Sequence, residues 1–172
     1  MLFEAYVALG SNVGDRQANI SNAIEALRAL SHELSASALY ATLPRGFTPQ
    51  PLFLNAVCHM WVPLDPFQLL ARIGELERSA GRHRAFLNGP RVLDIDILTW
   101  GRMMLKAPHL TLPHPKMAER DFVLVPLAEI APAFVHPVHR RTAQSLLADL
   151  PTPWGVRRWS YRAAAAAEAG TR

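Results

Sequence analysis

An α+β fold is predicted by three features of the chain. Segments with strand-like alternation and segments with helix-like spacing follow one another in the order β-α-β-β-α-β. Clusters of Gly and Pro separate them. No internal repeat or domain-boundary linker interrupts the order. The 172 residues therefore read as one domain over residues 1–160, with a basic, Ala-rich tail over 161–172 that frays. The order is the split-βαβ, ferredoxin-like arrangement. It implies a mixed or antiparallel sheet with helices on one face, followed here by a C-terminal hairpin and short helices.

Phe3 to Leu9 is the first strand, with Phe3, Ala5, Val7 and Leu9 on one face. A glycine-punctuated loop from Gly10 to Arg16 follows, and Asp15 or Asn12 caps the next helix. There Ile20, Ala23, Ile24, Leu27 and Leu30 repeat at three and four residues. The loop lacks both GxxxxGK[ST] and GxGxxG, so a tight turn explains its glycines better than a phosphate loop does. Ser35 to Thr42 reads as the second strand. The proline-rich segment 44–51 is a loop of a length that often carries function. Leu52 to Val62 is the third strand. Asn55 is its odd residue: inside a strand, its amide either pins a neighbouring loop or reads a ligand edge.

Pro66 opens the second helix, where Pro is tolerated in the first turn. Phe67, Leu70, Ile73, Leu76 and Glu77 form its stripe, and Gly81 ends it. Three Arg and a His then crowd the segment 82–91, and Gly89-Pro90 makes a turn. From Val92 to Leu98 alternation is sharp. Leu93, Ile95 and Ile97 share one strand face, while Asp94 and Asp96 share the other, roughly 7 Å apart along the backbone. Two like charges side by side suit a hard divalent cation such as Mg²⁺, although a decorated exposed edge would show the same spacing. A basic loop beside an acidic strand is the layout expected of a metal–triphosphate site.

Trp100-Gly101-Arg102 reads as a hairpin turn with a short return over 103–105. Pro113 and Pro115 frame His114 and hold it in an extended or turn segment, as a phosphate contact or a turn-stabilising donor. Asp121 to Ile130 is a helix broken or started at Pro126. Thr142 caps a last short helix to Leu150.

Composition bounds the function. Half the residues are hydrophobic and 19% are charged, an ordinary globular balance. No apolar run reaches membrane-span length, and Met1 to Tyr6 carries no basic or apolar signal region, so a cytoplasmic location is expected. The lone Cys58 sits in an apolar run and reads as a packed thiol. The net charge is +4. Arg157, Arg158, Arg162 and Arg172 stand against Glu168, so most of the excess is assigned to the tail rather than to a folded surface that would bind nucleic acid. No strand carries the aromatic pattern of an RNA-binding sheet.

Six segments together resemble the 6-hydroxymethyl-7,8-dihydropterin pyrophosphokinases of folate biosynthesis. They are Ala8 to Asn12 with Gly14-Asp15-Arg16; Tyr40, Thr42 and Pro44; Gln50 with Phe53 to Val57; Glu77 with Gly81, Arg82 and Arg84; Gly89-Pro90-Arg91 through Ile97; and Leu112 to Pro115 with Arg120, Phe122, Val123, Pro126-Leu127 and Glu129 to Pro132. The resemblance implies a monomer, while the charge distribution and the short apolar runs point to no nucleic-acid or membrane partner. Such an enzyme transfers pyrophosphate from ATP, its co-substrate, to the pterin's hydroxymethyl oxygen and releases AMP. It also implies two Mg²⁺ ions on Asp94 and Asp96, and catalytic roles for Arg82 and Arg91 beside them. Glu77, Arg82, Arg84, Arg91, Ile97, Thr111, His114 and Arg120 would bind ATP. Thr42, Phe53, Asn55 and Phe122 would form the pterin pocket, the two rings sandwiching the bicycle. Three positions depart from the family pattern: Asn88 for the usual Trp, Arg45 in the proline loop, and Gly74. Asn88 and Arg45 motivate the alternative, a paralogue that binds pterin or ATP without turnover.

Overall fold

The structure is a computed structural model and describes residues 1–44, 49–81, 89–151 and 155–160. Its frame is strand β1 (Phe3–Ser11). Both faces of this strand are apolar, so it can only be central: Ala5, Tyr6, Val7 and Leu9 are all buried. β4 (Phe53–Val62) lies antiparallel on one side, and β5 (Asp94–Trp100) on the other. β2 (Glu33–Ala36) and β3 (Tyr40–Thr42) both pair with β4. β8 (Val156–Arg158) adds to β3, giving the order β5-β1-β4-β3-β8. The first four ranks match the predicted split-βαβ order.

The two helices between these strands cover one face. In α1 (Arg16–Leu30), Asp15 caps the N-terminus by accepting from the Ala18 N–H at 2.9 Å, and Ile20, Ala23 and Leu27 are buried. In α2 (Pro66–Ser79), Asp65 and Gln68 form a reciprocal capping box. Its buried stripe is Pro66, Leu69, Ile73 and Glu77, turned from the predicted one: Phe67 is exposed, and Leu70 and Leu76 only flank the core. Gly81, at φ +84°, ends it as expected. The short added helices, α3 (Asp121–Ile130) and α4 (Ala143–Asp149), cover the opposite face. There Val123, Leu124, Leu127 and Leu146 pack on Tyr6, Val57 and Leu98. Among the described residues no helix is long and apolar enough to cross a membrane.

Several boundaries differ from the sequence reading, each for a local reason. The predicted strand 35–42 is split, because Ser37 spends its hydroxyl on the Val57 N–H (3.0 Å) and its own N–H on the Val57 carbonyl (2.9 Å). The acidic strand starts at Asp94 rather than Val92 and runs on to Trp100. It bulges at Leu98, since Val7 faces Ile97 while Tyr6 faces Thr99. The segment after Trp100 does not return along β5. Instead β6 (Leu105–Ala107) pairs with β7 (Leu110–Leu112) as a separate ribbon. α3 is neither broken nor started at Pro126. It runs through it, held by the buried Val123, Leu124 and Leu127 on either side. The basic residues Arg157 and Arg158 belong to β8 and so to the folded sheet, not to a tail. The predicted tail 161–172 lies outside the described residues.

The loop between α3 and α4 closes around His136, which is 3% exposed. Its Nδ1 accepts from the Val138 and His139 N–H groups, both at 3.2 Å. Burial, with His139 beside it, pushes its pKa down from 6.5 to about 4. Protons therefore bind the unfolded chain more tightly. This contribution is whole above pH 6.5 and is lost as pH falls from 6.5 toward 4. We expect a His136→Asn variant to lose less stability over that window than the parent, by on the order of 3 kcal/mol. Denaturant melts at pH 7 and pH 4.5 check this, and parallel losses in the two proteins would refute it.

Candidate active site

The C-terminal end of β1 is the meeting point of the chemistry. Gly10 pairs with Asp94 of β5 on one side and with Asn55 of β4 on the other. Strand spacing therefore sets the acidic pair and the polar strand residue roughly 10 Å apart across one cleft. A side chain at position 10 would spoil this: a Cβ there would lie 3.1 Å from Asn55 Oδ1 and 3.7 Å from Phe53 Cδ1.

On the acidic side, Asp94 and Asp96 project from the same face of β5, their side chains 17% and 42% exposed. Arg91 forms an ion pair with Asp94. Partial desolvation and the neighbouring Asp94 carboxylate hold the Asp96 pKa above its ordinary 3.8, against the pull of His114, Arg120 and Arg91. Arg120 Nη1 and His114 Nε2 both stand 3.8 Å from Asp96 Oδ2. The His114 ring has a defined tautomer. Its Nδ1 accepts from the Lys116 N–H at 3.2 Å, which leaves the proton on Nε2, facing Asp96. Burial lowers the His114 pKa, while the Asp96 carboxylate pulls it back up. The ring is fixed in place from behind, because the His114 N–H donates to the Leu98 carbonyl at 2.7 Å.

On the other side, Asn55 Nδ2 donates to Thr42 Oγ1 at 2.7 Å, and both residues are buried. Asn55 thus pins its neighbouring strand, and the residue also lines the cleft. Phe53 and Phe122 line that cleft together with Thr42 and Asn55. The Arg120 guanidinium lies 5.5 Å from the Phe122 ring centroid, so this residue pair joins the two halves.

Of the residues singled out from sequence, Thr42, Phe53, Asn55, Arg91, Asp94, Asp96, Arg120 and Phe122 line one cleft, and His114 borders it through Asp96. Three do not line it. Glu77 is buried on α2, and its Oε1 accepts from the Ile95 N–H at 2.8 Å on the outer edge of β5. Its carboxylate positions the acidic strand from behind. The Ile97 side chain packs in the core. Thr111 lies on β7 between buried Leu110 and Leu112. Arg82, Arg84, Asn88 and Arg45 lie outside the described residues. Gly74 lies on α2 with open space where a Cβ would stand.

The sequence reading missed Asn12, taking it for an optional helix cap. It is 1% exposed and ties two loops to β1. Its Oδ1 accepts from the Arg91 N–H at 2.8 Å. Its Nδ2 donates to Gln50 Oε1 at 2.9 Å and to the Pro51 carbonyl at 3.3 Å. Its backbone N–H also donates to the Arg91 carbonyl at 3.0 Å. Its partners are 38 to 79 residues away, so no local pattern could reveal them.

Two carboxylates on one strand face could hold a hard cation that takes its remaining ligands from phosphate and water, as Mg²⁺ does. Among the described residues no group of three or more His, Cys, Asp or Glu side chains is gathered to make an all-protein metal cage. Asp94 and Asp96 are two oxygen ligands of the kind such a hard cation takes.

Comparison with known proteins gives a consistent result. The profile of the 7,8-dihydro-6-hydroxymethylpterin-pyrophosphokinase (HPPK) family matches residues 6–132. A Methylorubrum extorquens 2-amino-4-hydroxy-6-hydroxymethyldihydropteridine pyrophosphokinase is 42% identical over 156 residues, covering 90% of this chain and 97% of its own. The folic acid synthesis protein FOL1 of Dictyostelium discoideum is 41% identical over 146 residues, covering 85% of this chain. This chain spans only 22% of that longer protein's length. Among solved structures, wild-type Plasmodium falciparum HPPK-DHPS with pterin and p-hydroxybenzoate superposes with a TM-score of 0.69 at 16% identity. That match covers 86% of this chain and 43% of the other, and supports the fold alone.

Proposed function

The chain belongs to the 7,8-dihydro-6-hydroxymethylpterin-pyrophosphokinase family, and from that premise we propose that it transfers the pyrophosphoryl group of ATP to the hydroxymethyl oxygen of 6-hydroxymethyl-7,8-dihydropterin. The pterin diphosphate and AMP are the products. The observation that carries the reading is the cleft divided by Gly10, with the acidic pair on one side and the Asn–Thr–Phe wall on the other.

A pterin is flat, with donors and acceptors around its edge. It calls for ring faces above and below, here Phe53 and Phe122, and an amide at the edge, here Asn55. The hydrogen bond from Asn55 Nδ2 to Thr42 leaves Oδ1 as the acceptor for a pterin N–H. Pyrophosphoryl transfer needs charge neutralisation and in-line placement more than a strong base. Arg91, Arg120 and His114 would meet the phosphate oxygens, a role for His114 that its Nε2 proton supports. We extend the ATP side to Arg82 and Arg84, and give Glu77 the indirect task of holding β5. Two Mg²⁺ ions on Asp94 and Asp96, when bound, would supply the remaining charge neutralisation of the triphosphate.

We further read the chain as one pyrophosphokinase domain over residues 1–160, a monomer that acts on small molecules in the cytoplasm and takes no nucleic acid. The pairing of β8 with β3 supports the domain limit. The buried thiol of Cys58, its pKa pushed up by burial to about 12, supports a packing role for the lone cysteine. Incubation with ATP, Mg²⁺ and the hydroxymethyl dihydropterin should give AMP and the pterin diphosphate in equal amounts. ADP as product, or no turnover, rejects the proposal.

A further inference from the structure

The family match ends at residue 132, yet the chain from Gly155 to Trp159 returns to the elements that carry the cleft wall. It attaches at three points: beside Phe122, on Thr42 itself, and, through Trp159 and then Arg16, at the residue before Phe53. The Gly155 N–H donates to Asp121 Oδ2 at 3.3 Å, one residue before Phe122. Val156 pairs with Thr42 itself, and Arg157 and Arg158 continue that register along Ala41 and Tyr40. The third attachment runs through Trp159. Its backbone N–H donates to the Leu39 carbonyl at 2.8 Å, and its Nε1 donates to Gln17 Oε1 at 3.2 Å. Its ring carries the Arg16 guanidinium 5.3 Å from the centroid, and Arg16 Nη1 donates to the Leu52 carbonyl at 2.7 Å, one residue before Phe53.

From these attachments we propose that the C-terminal strand, through Trp159 and Arg16, is a positioning element for the pterin wall. The inference rests on the functional reading above. Neither Trp159 nor Arg16 lines the cleft. Their effect passes through Thr42, Phe53 and Phe122: the strand pairs with β3, the Gly155 N–H just before it donates to the Asp121 side chain at the start of α3, and Arg16, over the Trp159 ring, donates to the carbonyl before β4. β3 is only three residues long and would otherwise be an exposed edge. A wall pinned before the ligand arrives loses less freedom when it binds. On the acidic side β1 and Glu77 hold β5 and Asn12 holds Arg91, none of them through the C-terminal strand. The strand should therefore govern affinity for the pterin and leave ATP affinity alone.

The test compares the full chain with Trp159→Ala, Trp159→Phe and Arg16→Met. Steady-state kinetics would be run with each substrate varied in turn, and pterin binding measured directly by calorimetry. Trp159→Ala and Arg16→Met should raise KM and Kd for the pterin on the order of tenfold, with kcat and the ATP KM within about twofold of the parent. Trp159→Phe keeps a ring under Arg16 and should restore most of the affinity. Should Trp159→Ala fail to fold, Arg16→Met leaves the Trp159 packing in place and answers alone. Equal pterin Kd in all variants overturns the inference, as does a parallel loss of both substrates' KM and kcat. If the parent binds pterin without turnover, the enzymatic reading fails while the binding comparison still decides this one. If the parent binds no pterin, both fail.

Discussion

Asp96→Ala should remove nearly all pyrophosphoryl transfer, a fall in kcat of at least about a thousandfold, while the protein stays folded. The two expectations have one origin. Asp96 shares a strand face with Asp94 and has Arg120 and His114 within 3.8 Å of its Oδ2. No third carboxylate among the described residues is at hand to take over a metal. Without a substrate or ion, the same carboxylate is a burden. Its pKa is raised in the folded state by desolvation and by Asp94. Its ionised form is thus less favourable in the native protein than in the unfolded chain, and protonation as pH falls relieves that cost. Removing the charge should therefore leave the neutral-pH Tm unchanged or higher. Asp96→Asn separates charge from shape and should be almost as inactive as the alanine variant. Product analysis and a thermal melt on each variant check both halves. Retained turnover would reject the metal role, and a collapsed Tm would mean that the carboxylate is structural.

The second large effect is expected at Asn12, far more in stability than in chemistry. Replacing it by Ala leaves the Arg91 N–H without its buried acceptor and strips Gln50 and the Pro51 carbonyl of a donor. These bonds are only part-buried and Pro51 is exposed, so a loss of about 2 kcal/mol is expected, and a Tm lower by roughly 6 °C. The loops Asn12 ties down carry Arg91 and lead into Phe53. We therefore expect kcat/KM to fall as well, by about tenfold, even at temperatures where the variant is fully folded. Asn12→Asp keeps the acceptor for Arg91 and loses the donors, and it should lie between Ala and the parent. A Tm shift below about 2 °C for Asn12→Ala would show that water replaces the amide at no cost.

These two residues also mark how much of the molecule was legible in sequence. Asp94 and Asp96 were legible because strand geometry is local: alternation with period two puts both on one face whatever the rest of the chain does. The same holds for the cap at Asp15, the cap at Thr142 and the stop at Gly81, each a short-range match of side chain to backbone. The stripe of α2 was read slightly askew, because several apolar residues compete for one face and only the packed partner decides which of them turns inward. The split between β2 and β3, the bulge at Leu98 and the continuity of α3 through Pro126 all depended on contacts with other elements.

Sequence by itself determined the order of elements, the acidic pair, and the residue types of both halves of the cleft. It also carried enough of the family's pattern to imply the reaction. Tertiary structure alone decided that Gly10 stands between the two halves, that Glu77 supports the acidic strand from behind, that Asn12 joins two distant loops, and that the last strand returns to brace Thr42. The physical reason is range. Periodicity, capping and turn chemistry act over a few residues and leave their marks in the order of the letters. A buried amide finding its partners 38 to 79 positions away leaves none until the chain is folded.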